Sequence, residues 1–161
     1  MAVAMLATPM VGTAQAFRSR RGGLNEADLD ITMFWTHFEL LKEWTCGDVT
    51  YRITRNWGEY STWGGFRVNE PTVVLGTKGD FESYTLFRIA SDGTYTSCGY
   101  IIFTFSEVDG CIEAVFQGEG GSATIYGWGT GGLNRVKIRA EMNPHSTFNW
   151  VFFVTGTIWY P

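Results

Sequence analysis

Charge, proline, cysteine and histidine are all scarce in this chain of 161 residues. Only 17% of the residues are charged, and the formal net charge is -4. An acidic balance of this kind argues against non-specific binding to nucleic acid. Low charge combined with 45% hydrophobic residues excludes an intrinsically disordered chain, which needs the opposite mixture. No apolar run reaches the roughly 18 residues that a membrane-spanning helix requires. Three cysteines, Cys46, Cys98 and Cys111, allow at most one internal bridge. They form no CxxC pair, and with only His37 and His145 beside them they offer no metal cluster. Neither a metal nor a cofactor is expected.

What the chain has instead is glycine and aromatic rings. There are 20 Gly against 4 Pro, with 7 Trp, 7 Tyr and 12 Phe. Tight turns and aromatic strands fit that mixture better than a helical bundle. The length suits one domain with a substantial core.

The first 21 residues read as a leader or arm. Met1 to Phe17 is weakly apolar and ends in Ala14-Gln15-Ala16, the small-x-small form of a cleavage site. Arg18, Arg20 and Arg21 follow, and the junction resembles the bipartite plastid-targeting leaders of algae with secondary plastids. Secretion or organelle targeting, with the leader ending at Ala16, is the corresponding expectation. Residues 22–161 form the remaining domain.

Asn25 and Asp28 suggest a short helix start. Ile31–Leu41 fits both helical and alternating periods, and a first strand is preferred there. After Gly47 alternation dominates. It predicts strands at Asp48–Trp57, Tyr60–Val68, Thr72–Thr77, Phe81–Ala90, Thr94–Phe105, Cys111–Gln117, Ser122–Trp128, Leu133–Met142 and Thr147–Tyr160. Turns at Lys78-Gly79-Asp80, Ser91-Asp92-Gly93, Val108-Asp109-Gly110 and Asn143-Pro144-His145 separate several of them. In Leu133–Met142 the alternation predicts Val136, Ile138 and Ala140 buried, and Arg135, Lys137 and Arg139 exposed. Consecutive strands with short turns point to an all-β fold, an antiparallel up-and-down barrel of about eight strands.

From Phe81 onward the order resembles the allene oxide cyclase-like barrel, shared with dirigent proteins. The matching residues are Ala114-Val115-Phe116-Gln117-Gly118-Glu119-Gly120-Gly121, then Ile125-Tyr126-Gly127, and the closing Phe152-Phe153-Val154-Thr155-Gly156. The Gly-Gly-Thr-Gly signature of dirigent proteins is not intact. The resemblance implies ligand enclosure and steering of a cyclisation or coupling with few acid or base groups. It transfers no active-site residue.

A small barrel can hold one ligand or fill itself with side chains. The expected function is a small-molecule-binding barrel, with cofactor-independent cyclase or isomerase activity on an apolar substrate in an aromatic-lined cavity. Arg88, Glu113 and His37 are the candidate catalytic groups, for polarising a carbonyl or taking a proton. Tyr51, Trp57, Trp63, Tyr84, Tyr100 and Trp150 are the candidate ligand-binding rings. Strand alternation is expected to bring Arg88 with several of Tyr51, Tyr84, Tyr100 and Trp150 towards one enclosed volume. For each residue an ordinary core or surface role competes. Two other functions compete as well: a self-assembling coat or filament subunit, and a secreted carbohydrate-binding module using exposed Trp. Among partners, an apolar ligand and a homo-oligomer are expected, without nucleic acid or a membrane span.

Overall fold

The computed structural model describes residues 23–62 and 64–161. The expected leader and Trp63 lie outside them. Among the described residues ten strands form: β1 Asn25–Phe34, β2 His37–Cys46, β3 Val49–Gly58, β4 Gly65–Glu70, β5 Lys78–Ile89, β6 Tyr95–Phe105, β7 Cys111–Glu119, β8 Ser122–Thr130, β9 Lys137–Pro144 and β10 Val151–Tyr160. One helical turn, α1, covers Thr72–Leu75.

All pairings are antiparallel. From β5 the sheet runs β5-β4-β1-β10-β9-β8-β7-β6 and returns to β5, closing an eight-stranded barrel. The meander from β5 to β10 is up-and-down, as short turns favour. The departure is the β2–β3 hairpin, which leaves the ring between β1 and β4. There β3 pairs with β5 over Phe81–Ile89, while β4 holds the start of β5 at Lys78 and Gly79. One edge of β5 thus serves two strands end to end, and β2 extends the sheet beyond the barrel.

Period-2 alternation decides what is buried. Leu29, Ile31 and Met33 of β1, Ile101, Phe103 and Phe105 of β6, and Val154 and Ile158 of β10 are buried in one apolar core. In β9 and the two residues before it, Val136, Ile138 and Ala140 are buried and Arg135 and Arg139 are exposed, as the alternation predicts, whereas Lys137, expected to be exposed, is half-buried. Gly127 marks the packing limit: a Cβ there would lie 2.8 Å from Ile138 and 2.9 Å from Ala114 and Ile112. The interior is filled in the manner of small eight-stranded barrels.

Several local expectations are corrected. The single strand over Ile31–Leu41 is two strands broken at Trp35 and Thr36, and the residues near Asn25 belong to β1 rather than a helix. Thr72–Thr77 is not a strand but carries α1, and Lys78-Gly79-Asp80 opens β5 instead of turning. In Tyr60–Val68 the first three residues form a short 3-10 turn, and the strand begins at Gly65. Expected strand ends near Leu133 and Thr147 begin later, at Lys137 and Val151. Short apolar runs satisfy a strand or a turn equally until tertiary pairing chooses.

Candidate functional site

The register sets the candidate residues. Directly opposite residues of an antiparallel pair share a face. On one row His37 lies opposite Trp57, Trp57 opposite Glu82, Glu82 opposite Ile102, and Ile102 opposite Glu113. On the next, Glu39, Arg55, Tyr84 and Tyr100 are aligned. Alternate residues of β5, Phe81, Ser83 and Thr85, are buried, so Glu82 and Tyr84 point outward and both rows lie on the barrel's outer surface.

An open groove of about 320 Å³ sits in this face, between β3, β5 and β6. Arg55, Trp57, Glu59, Asp80, Glu82, Ile102 and Thr104 line it together with Gly58 and Phe81. Arg55 Nε donates to Glu82 Oε1 at 2.7 Å, and the Tyr84 hydroxyl donates to the same oxygen at 2.7 Å. The Arg55 guanidinium lies 4.8 Å from the centre of the Trp57 ring. His37 stacks on Trp57 at 5.0 Å with 7° between planes. These contacts lock the indole from its own strand and from β2.

The electrostatics follow from the same contacts. Hydrogen bonds from Arg55 and then Tyr84 hold the Glu82 carboxyl below its ordinary pKa. The bond to Glu82 raises Arg55 and is the main cause raising Tyr84 as well. Tyr100, one strand away, is pushed up to about 12, mainly by desolvation and next by its hydrogen bond to Glu113. A general acid or base works best with a pKa near the working pH. Each shifted group here moves away from neutrality. At these groups the groove offers fixed donors and acceptors.

The predicted site residues divide accordingly. His37, Trp57, Tyr84, Tyr100 and Glu113 come together on the outer face, and Tyr51 and Arg88 pair farther along it. Trp150 lies elsewhere, 6.1 Å from Phe34 in ring centres and exposed to solvent. The enclosed volume expected from Arg88, Tyr51, Tyr84, Tyr100 and Trp150 does not form. The inward positions of these strands carry the apolar core and the buried Thr54, Asn56, Ser83 and Thr85. Arg88 is exposed, and His37 stands in solvent rather than in an apolar cavity. His145 accepts hydrogen bonds at Nδ1 from the backbone N–H groups of Thr147 and Phe148, so it holds a turn.

Arg55, Glu82 and Asp80 escaped the sequence reading. The available signal was spacing: Arg55 and Trp57 are two apart, as are Glu82 and Tyr84, so each pair shares a face. Which pair meets which depends on the β3–β5 register, which no local pattern states. Among the described residues, no three metal-ligating side chains cluster and no helix is long and apolar enough to cross a membrane. The three cysteines are free thiols. No protein-family model and no curated protein matches the sequence.

Proposed function

We propose that this barrel is a binding module that works through its outer face, and that the groove at β3, β5 and β6 takes a neutral polyhydroxylated ligand, a saccharide. The observation that carries this reading is the Arg55–Glu82–Tyr84 network beside Trp57. It sets a guanidinium and a carboxylate beside a stacked ring, with the Tyr84 phenol bonded to that carboxylate. Sugar hydroxyls donate to carboxylates and accept from guanidinium groups, while the apolar faces of a sugar suit Trp57 and Ile102. Glu59, Asp80 and Glu82 outnumber Arg55 in the lining, which disfavours acidic sugars. The resemblance to allene oxide cyclase-like barrels enters this reading as architecture. The family's ligand-enclosing chemistry does not, because the inward positions are packed.

Calorimetry with a panel of neutral and acidic oligosaccharides tests the reading. A neutral member should bind the wild type, and Trp57→Ala and Glu82→Gln should each weaken it about tenfold, equivalent to about 1.4 kcal/mol. Absence of binding by every neutral member, or unchanged affinity in both variants, would overturn it.

A further inference from the structure

Among the described residues, β2 is the terminal strand of the sheet, bonded to β3 and to no second strand. All ten of its residues are exposed. Four of them are large and apolar: Phe38 at 65%, Leu40 at 48%, Leu41 at 46% and Trp44 at 38%. An edge of this length and character is a template for another strand. Proteins that keep such an edge unpaired blunt it with bulges and charges. This edge has both devices, yet both favour one particular partner.

The charges are Glu39, Lys42 and Glu43. Glu39 pairs opposite Arg55, and Lys42 opposite Ile53. Arg55 and Ile53 are two apart on β3, so Glu39 and Lys42 share the outward face although they are three apart in sequence. The register shift between Leu40 and Lys42 supplies the extra residue. Antiparallel pairing of β2 with a second β2 about a twofold axis can then set Glu39 of each copy opposite Lys42 of the other. Both residues of each pair lie on one face, as cross-strand pairing demands. Leu40 of each copy meets Leu41 of the other at the axis. Glu43 is held by Arg52 within its own hairpin and takes no part in this match, whereas Glu39 has only a long contact of 3.9 Å to Arg55, whose Nε is bonded to Glu82.

We infer that the partner of this edge is a second copy of the chain, joined β2 to β2 in an isologous antiparallel pair. The complementarity is self-directed: one acidic and one basic residue, two apolar residues between them, all on one strand. The axis stands perpendicular to the joined sheet, so both grooves open on the same side. This dimer does not depend on what the grooves bind.

Sedimentation velocity over a concentration series tests the inference with three proteins. The wild type should show a monomer–dimer equilibrium. Glu39→Lys sets two lysines opposite each other at both positions, and Lys42→Glu does the same with two glutamates. Each variant alone should sediment as a monomer with a circular-dichroism spectrum like the wild type's. An equimolar mixture of the two restores both opposite-charge pairs and should give the dimer. This result also shows that both variants are folded. A monomeric wild type at every concentration, dimers of either variant alone, or a mixture of folded variants that stays monomeric would each overturn the inference.

Discussion

At the scale of single residues, environment separates side chains that look alike in the sequence. Tyr84 and Tyr100 face each other across β5 and β6. Tyr84 is exposed, and its shift comes first from its bond to Glu82. Tyr100 is shifted mainly by desolvation and reaches about 12. A tyrosine with a raised folded pKa contributes stability that is complete below its ordinary value of 10.0 and is lost as pH rises through about 12. Titration of tyrosinate absorbance should therefore show, besides the raised Tyr84, a late-ionising ring that Tyr100→Phe removes. In Glu113→Gln that ring should ionise earlier, yet still above 10.0, because the larger cause remains. A full return to the ordinary value would show that Glu113 and not burial sets the shift.

At the scale of elements, glycine positions show where strands cross too closely for a side chain. Gly127 of β8 points into the barrel between Ile112, Ala114 and Ile138, which belong to β7 and β9. Its φ is not in the left-handed region, so the constraint is space rather than backbone conformation. Gly127→Ala should cost about 1–3 kcal/mol, the usual range for overpacking a filled core. Urea unfolding measures it, and a change below about half a kcal/mol would mean that the interior has room to spare.

At the scale of the molecule, closure and its exception set the dynamics. Among the described residues, the eight barrel strands are bonded on both sides for much of their length, whereas β2 hangs on β3 alone. Local opening is easiest where few buried contacts and exposed backbone bonds coincide. In Glu39→Lys, hydrogen exchange should be fastest in β2, intermediate in β3 and slowest in β7 to β10. Protection of β2 equal to that of β8 in the monomer would contradict the topology. The ring itself closes between β4 and β5 through only two residue pairs, and β3 covers the rest of β5 from Phe81 to Ile89.

The sequence by itself determined the all-β class, an antiparallel barrel of about eight strands and the buried phase of a strand such as β9. These depend on local alternation and turn chemistry, which a chain carries residue by residue. It also picked out His37, Trp57, Tyr84, Tyr100 and Glu113, because rings and charges stand out on alternating strands. Only the tertiary structure decided that these side chains meet outside the barrel. The β3–β5 register and the closure through β5 and β6 set which phase faces in, and both pair residues distant in sequence. A one-residue change of register would send every side chain to the other face. Whether a ring lines a lumen or a groove is therefore settled by long-range pairing, and the local pattern is the same in either case.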